Sequence, residues 1–320
     1  MSVPSFGRFR DWFLLLACNF IWASQFVLVK IVQAQMGPVA ATLFPIALAT
    51  LLLLPIVRFE NRRTARNGGV PRRDVMQFLL IGVVGQVVAQ LFITWGMRYA
   101  PASNAALLML ALPVSTAVMA FFFLGERMSL VRWISFALAI GGVLECSGIN
   151  WNELNLTGSK FIIGNLLIFA SVNGSAFYNV YSKKLLTRYT PLQVLLYSYY
   201  AVLIFLSPIT GFLEPEAFRA MPHFAPAVWL GLLALAVFQY GLSMVIFLTV
   251  LTRLDATQAS LSNYLIPFFG VLIAAVALHE RLTKYMVLGG LLVLASTLLV
   301  TVYEERQRAR SKSELARSAS

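Results

Sequence analysis

The sequence predicts an all-α membrane protein in which ten transmembrane helices form two inverted five-helix repeats around a central cavity. The first observation is composition: of 320 residues, 59% are hydrophobic and 12% are charged, and the mean hydropathy is +0.78. A soluble domain carries about 25% charged residues. The second is that the apolar residues form runs of the length that crosses a bilayer, about 20 residues. The third is an internal repeat that relates the two halves of the chain.

Charged and turn-forming residues divide the chain into ten apolar segments. Unbroken helices are expected for such segments, because only internal hydrogen bonds can satisfy the backbone in lipid. The segments are residues 12–34, 40–58, 75–97, 102–124, 130–149, 160–182, 191–212, 226–251, 256–278 and 284–303. The remaining polar tail, residues 304–320, is expected to be a basic, disordered cytoplasmic end.

The basic residues predict the orientation in the membrane. Nineteen lysines and arginines lie in segments on the side of the amino terminus, five lie on the opposite side, and Lys30 falls within the first span. Since cytoplasmic loops carry the excess of positive charge, we expect a multi-pass protein of a bacterial-type inner membrane with both termini in the cytoplasm. A protein that binds nucleic acid would cluster its basic residues on one face, so the net charge of +12 does not predict such a partner.

An internal duplication appears when the sequence is shifted by 154 positions, which aligns residues 99–129 with residues 253–283. Eight of the 31 aligned positions are identical, among them one proline near the middle of a span and a charged pair at its end. These identities are Pro113 with Pro267, Glu126 with Glu280, and Arg127 with Arg281. The shared spacing indicates two copies of one unit.

The first repeat is expected over residues 1–150 and the second over residues 151–303, with five spans in each. An odd number of spans makes the second copy enter the membrane with the opposite orientation. Inverted repeats are typical of secondary transporters, whose substrate site lies near the midplane between the halves. The sequence contains neither a Walker glycine loop nor an HExxH motif, so we expect no enzyme, no cofactor and no metal. An intramembrane enzyme is an alternative that no residue favours.

Three stretches carry a resemblance to a known family: "FIWASQFVLVK", "ALPVSTAVMAFFFLGERMS" and "YLIPFFGVLIAAVALHERLT". They resemble the EamA type of the drug/metabolite transporter superfamily, and the likeness covers about residues 12–303. The resemblance implies a basket of ten helices around a central cavity and the export of amino acids or other small metabolites. The small multidrug exporters of that superfamily use a carboxylate inside the first span, and this chain has none there, which disfavours exchange of cations for protons.

Polar side chains inside the spans are the candidate substrate-binding residues, because such groups are costly in lipid and tend to face the bundle interior. Gln86 and Gln90 share one helix face, and the repeat shift places Gln86 opposite Tyr240. Hydrogen bonding between helices without any ligand is the alternative. The candidate set is Asn19, Trp22, Gln25, Lys30, Gln86, Gln90, Asn173, Tyr178, Gln239, Tyr240, Asn263 and Tyr264, with Asn179 in the same cluster.

Three of the residues singled out by the pattern allow two interpretations each. Pro113 and Pro267 interrupt their helices and are either hinges beside the pathway or fixed kinks that shape the bundle. Lys30 lies near the outer end of span one, where its ammonium either extends to the interface or pairs with an anionic group of a substrate.

The two glutamate–arginine pairs are expected at span ends, where the carboxylates lie beside helix amino termini. Ser129 and Thr283 follow them and can cap the next helix, and the alternative role is a gating ion pair. His279, which is glycine in the other copy, is expected to be an interfacial residue.

The sequence therefore predicts a secondary transporter that exports a small metabolite such as an amino acid by alternating access. Its expected partners are the small-molecule substrate and the lipid bilayer, and a homodimer is left open. A sugar-phosphate or nucleotide-sugar-like carrier is one alternative, although it would need a more basic cavity. A non-transporting membrane scaffold is the other.

Overall fold

The computed structural model describes residues 5–63, 70–124, 129–146, 160–253, 263 and 265–318, and these residues form helices without any strand. The first half contains α1 (Ser5–Val32), α2 (Pro38–Arg63), α3 (Arg72–Gly96), α4 and α5 (Leu130–Cys146). Helix α4 consists of Ala102–Leu108 and Leu112–Leu124, joined by a 3-10 turn at Met109–Ala111. The second half contains α6 (Lys160–Leu185), α7 (Pro191–Leu213), α8 (Pro226–Leu251), α9 (Leu265–Leu278) and α10 (Lys284–Ser318). A short helix at Pro215–Ala220 connects α7 to α8.

Six of these helices are long and apolar enough to cross a membrane: α1, α2, α3, α6, α7 and α8. Shorter apolar stretches occur in α4, α5, α9 and α10. Large apolar side chains point outward from the bundle, among them Phe212 at 85% exposure and Leu230 at 67%. Water would penalise such a surface, whereas the hydrocarbon of a bilayer covers it without cost. The chain is therefore a multi-pass membrane protein.

The carboxy-terminal tail, which was predicted to be disordered, is helical over most of its length. Helix α10 runs without interruption to Ser318, so the prediction of disorder is wrong for residues 304–318. Several other predicted features lie outside the described residues: Glu126 and Arg127, the junction at residue 150, the start of the ninth span and Tyr264.

Two π-helical segments support the internal duplication. In α3 the segment is Ile81–Val87, and in α8 it is Leu235–Ser243. Their first residues lie 154 positions apart, which is the shift found in the sequence. Because π-helical turns are rare and often occur at functional positions, their recurrence at equivalent places is strong evidence of common origin and points to these turns as functional.

Carboxylates at the helix ends show that α2 and its repeat partner α7 run in opposite directions. Glu214 follows α7 and accepts hydrogen bonds from the backbone N–H groups of Val39 (3.1 Å) and Ala40 (2.9 Å), at the start of α2. Glu60, 154 positions earlier, lies near the end of α2 and accepts a 3.0 Å hydrogen bond from Thr190, the residue before α7. Each helix therefore begins where its repeat partner ends, and α2 and α7 are antiparallel.

These contacts define the two ends of the bundle. The arginine-rich end holds Arg188, which pairs with Asp74 at 2.8 Å, and Arg253, which pairs with Asp11 at 2.9 Å. The arginine-poor end holds Glu214 and the loop between α9 and α10. In that loop Thr283 accepts a 3.2 Å hydrogen bond from the backbone N–H of Met286, which confirms its expected role as the cap of the next helix.

Candidate functional site

A central cavity of about 70 Å³ lies between α1, α3, α4, α6, α8 and α9. Both halves of the chain contribute to its wall. The residues that line it are Trp22, Gln25, Phe26, Gln86, Ala89, Gln90, Ile93, Met109, Leu112, Ser175, Tyr178, Asn179, Gln239, Met244 and Ile266. Three lining pairs occupy equivalent positions in the two repeats: Gln25 with Asn179, Gln90 with Met244, and Leu112 with Ile266.

Gln25 is the centre of a hydrogen-bond network that joins three helices. Its Nε2 donates to Oε1 of Gln90 at 3.0 Å and to the hydroxyl of Tyr240 at 3.5 Å. Its Oε1 accepts from Nε2 of Gln239 at 2.6 Å. The hydroxyl of Tyr199 donates to the backbone carbonyl of Tyr240 at 2.7 Å, which holds the π-helical segment of α8 against α7. The network positions amide groups from both halves at the cavity wall.

Gln86 is buried, with 1% of its surface exposed, and both polar atoms of its side chain lack a hydrogen-bond partner. The hydroxyl of Tyr178 lies beside Gln86, Ser182 and Ser198, yet makes no hydrogen bond of normal geometry. Oε1 of Gln239 also lacks a partner. A buried polar group without a partner costs about 1–3 kcal/mol, and a ligand with complementary groups would recover that cost.

The π-helical turn of α3 and a neighbouring glycine explain how Gln86 reaches this position. A π turn accommodates an extra residue and reorients the side chains around it. A Cβ on Gly85 would lie 3.0 Å from the Cβ of Tyr178, so the absence of a side chain lets α3 approach α6 closely. This approach brings Tyr178 beside Gln86.

The remaining wall of the cavity is apolar and partly aromatic. Trp22 packs against Phe247 with ring centroids 4.9 Å apart, and Phe26 comes from the next turn of α1. Met109 and Met244 add flexible side chains that adapt to irregular shapes. A ligand with a small apolar part and hydrogen-bonding groups fits such a mixed surface.

Among the described lining residues none carries a charge. Lys30 instead donates a hydrogen bond to the backbone carbonyl of Met97, and Gln33 donates to that of Thr94 at 2.5 Å. Both acceptors lie in the last turn of α3 or just after it, where the helix dipole favours a cation. The pairing of Lys30 with a substrate anion stays a prediction.

The structure brings together seven of the predicted residues on the cavity wall: Trp22, Gln25, Gln86, Gln90, Tyr178, Asn179 and Gln239. Tyr240 lies directly behind them through its contact with Gln25.

The other predicted side chains lie elsewhere. Asn19 donates to the carbonyl of Leu15 at 2.8 Å. Asn173 donates to the carbonyl of Phe169 at 2.9 Å and lines a second, apolar pocket between α3, α4 and α6. Asn263 is buried with no hydrogen-bond partner.

Sequence reasoning missed several lining residues, including Phe26, Met109, Ser175 and Met244. The apolar ones carry no signal, since every span is rich in such residues. Ser175 lies four residues before Asn179 on α6, and this spacing could have identified it.

The two prolines are both buried, and Pro113 lies at a break of its helix. Pro113 follows the 3-10 turn at Met109–Ala111, and its ring would clash with the carbonyl of Met109, four residues earlier. This clash accounts for the tighter turn and places the break beside the cavity. Pro267 is buried near the start of the described part of α9, next to Ile266. Whether Pro113 or Pro267 acts as a hinge stays a prediction.

Comparison with known proteins gives one family for both halves. The model of the EamA-like transporter family matches residues 11–147 and 162–302. A probable terminal-alkyne amino-acid exporter of Streptantibioticus cattleyicolor is 30% identical over 283 residues, covering 87% of this chain and 89% of that protein. The uncharacterized transporter YvbV of Bacillus subtilis is 28% identical, covering 83% and 89%.

Two further proteins resemble this chain over most of its length. An S-adenosylmethionine uptake transporter of Rickettsia conorii is 21% identical, covering 95% of each chain. A crystal structure of a protein aligns with a TM-score of 0.62 at 16% identity, over 93% of this chain and 98% of the other, which supports the fold.

Proposed function

The chain belongs to the EamA-like transporter family, and we propose that it is a secondary transporter that exports a small metabolite such as an amino acid by alternating access. The observation that carries the proposal is the pair of unpartnered amide atoms of Gln86 at the wall of a cavity shared by both halves. A purely structural amide in lipid would be paired with a neighbouring helix. An amide whose function is to bind a ligand would lack such a partner in the absence of that ligand.

The proposed substrate class follows from the chemistry of the wall. Neutral amides and hydroxyls can donate to a carboxylate and accept from an ammonium group, while Trp22, Phe26 and the two methionines accommodate an apolar side chain. Two relatives are named for cargo that contains an amino acid group, one as an amino-acid exporter and one as an S-adenosylmethionine transporter. A small molecule that carries an amino acid group agrees with both the uncharged wall and these names.

The proposed topology has ten spans, in two inverted halves, with both termini in the cytoplasm. The shorter apolar stretches of α4, α5, α9 and α10 would supply the four spans beyond the six long helices. The antiparallel arrangement of α2 and α7 supports the inversion. The arginine-rich end would then face the cytoplasm.

The alternatives have less support. A carrier of sugar phosphates would need cations in the cavity, and none of the described lining residues is basic. A scaffold would have no use for the unpartnered side chain of Gln86, whose burial only destabilises the protein.

Flux of labelled amino acids in proteoliposomes tests the proposal. We expect saturable, cavity-dependent flux that falls about fivefold or more in Gln86→Ala, because the loss of one or two hydrogen bonds to the substrate removes about 1–3 kcal/mol. Asn173→Ala is the matched control, since this amide lies in the second pocket and its loss should leave flux unchanged. Absence of flux or binding for every amino acid and related metabolite would overturn the proposed substrate class.

A further inference from the structure

Glu280 ties the second half of the chain to the first at the arginine-poor end. Its Oε1 accepts a 2.9 Å hydrogen bond from the backbone N–H of Ala102, and its Oε2 accepts from the N–H and the hydroxyl of Ser103 at 2.9 and 2.7 Å. These residues open α4, which continues in helical conformation to Leu124. A carboxylate at a helix amino terminus gains from both the dipole and charge-assisted hydrogen bonds. Glu280 was expected beside the amino terminus of the following helix, α10, but its carboxylate lies at the start of α4 instead.

Helices α4 and α9 are antiparallel, and they contribute residues at three successive depths between the arginine-poor end and the cavity. At the end of the bundle are the hydrogen bonds of Glu280 to Ala102 and Ser103. One level deeper, Gly270 of α9 packs against Ala106 of α4, and a Cβ on Gly270 would lie 2.6 Å from that of Ala106. Deeper still, Ile266 and Met109 line the cavity. The close contact of α4 with α9 therefore lies between the cavity and the arginine-poor end.

Lys30 adds a second charged contact at the same end. Its ammonium donates to the carbonyl of Met97 at the end of α3, and its charge interacts favourably with that of Glu280. The two side chains thus lie on either side of the short connection from α3 to α4. Opposite charges hold both ends of this connection, one from α1 and one from the loop after α9.

Glu214 makes a similar cap but has a different position. It binds the start of α2 at the same end of the bundle through two backbone N–H groups. Neither α2 nor α7, which this cap joins, contributes a described residue to the cavity wall. Glu214 therefore stabilises the scaffold, whereas Glu280 joins two helices that cover the cavity.

We propose that Glu280 is the latch of the arginine-poor entrance, closed in this structure through Ala102 and Ser103 and released when the cavity opens to that side. The inference rests on the proposed alternating access. Release of the Glu280 carboxylate would remove the three hydrogen bonds that hold the loop after α9 to the start of α4, and would leave the packing of Gly270 against Ala106.

Cysteine accessibility tests the latch without any substrate. Cys18 and Cys146 are replaced by alanine, Met109→Cys reports on the cavity, and the exposed Leu282→Cys identifies the side of the membrane on which the loop lies. A membrane-impermeant maleimide applied from that side should label Met109→Cys about tenfold faster in Glu280→Gln. Such a change corresponds to about 1.4 kcal/mol in the opening equilibrium.

Glu214→Gln is the matched control, because it removes the same charge from the same kind of helix cap. Both substitutions should lower the melting temperature by similar amounts, yet only Glu280→Gln should raise the labelling rate. Equal rates in both variants, or no change in Glu280→Gln, would overturn the latch. If Glu280→Gln does not fold, Ser103→Ala removes a single hydrogen bond and should give a smaller increase of the same sign, and the absence of one counts against the latch. Faster labelling without amino acid flux would leave the latch in place and refute only the proposed substrate.

Discussion

The side chain of Gln86 permits a prediction in which stability and function change in opposite directions. Gln86→Met keeps an unbranched side chain of similar length and removes both unpartnered polar atoms. Each buried polar group without a partner costs about 1–3 kcal/mol, so the free energy of unfolding should rise by about that amount. Transport should fall, because the substrate loses the groups that would bind it. Most substitutions at a buried site destabilise a protein, so a gain here would be specific to this amide.

Gln25→Met is the matched comparison, since it makes the same chemical change in the same cavity. Gln25 is fully engaged, and its removal leaves Gln90, Gln239 and Tyr240 without a partner on that side. The free energy of unfolding should therefore fall by about 1–3 kcal/mol for each group left unpaired.

The assay is thermal unfolding of the purified protein in detergent, without ligand, together with amino acid flux in proteoliposomes. The melting temperature should rise in Gln86→Met and fall in Gln25→Met, and flux should fall in both. A lower melting temperature in Gln86→Met would refute the reasoning, because it would show that the amide is already satisfied. Shifts of the same sign in both variants would refute it as well.

Two further predictions concern the arginine-rich end. Thr190→Ala removes the cap of α7 and the hydrogen bond to Glu60, so the free energy of unfolding should fall by about 1 kcal/mol in denaturation curves. Thr187→Ala, at an exposed site nearby, should have no measurable effect, and equal losses in both would contradict the capping role. Burial and the hydrogen bond to Asp74 raise the pKa of Tyr189 to about 12 from an ordinary value of 10.0, so its contribution to stability is complete below pH 10 and is lost as the pH rises toward 12. Tyr189→Phe should flatten that part of the stability curve, and an unchanged slope would argue against this linkage.

The helices and the duplication could be predicted because lipid imposes strong rules on sequence. A span must be long and apolar, so its limits are visible wherever charges interrupt it. The polar cluster was visible for the same reason, since Gln25, Gln86 and Gln239 are exceptions inside apolar runs. The family followed from the proline and the charged pair that recur in both copies.

The local geometry could not be predicted, because it depends on packing between distant parts of the chain. The π turns of α3 and α8 have no compositional signal and arise where the two halves meet. Glu280 was placed beside its neighbour in sequence, while its true partner lies 178 residues away. The sequence left two roles for Lys30. Its hydrogen bond to the carbonyl at the end of α3 could not be predicted, because it depends on α1 packing beside α3.

Comparison of the two repeats shows which features serve the scaffold and which serve the substrate. Glu60 and Glu214 occupy equivalent positions and each accepts hydrogen bonds at the start of the helix that is the repeat partner of its own, and both π turns begin at equivalent positions. The cavity residues in those turns differ: Gln86 in one copy corresponds to Tyr240 in the other, and Gly85 corresponds to Gln239. One copy therefore supplies an amide with both polar atoms unpartnered, and the other supplies Nε2 of Gln239 and the hydroxyl of Tyr240, which contact Gln25. The helix-end glutamates and the π turns are therefore common to both halves and belong to the scaffold. The residues within the turns differ, and this difference makes the cavity chemically asymmetric. An asymmetric wall can bind a molecule with distinct polar and apolar ends in one orientation, which an exact two-fold arrangement of the same residues could not do.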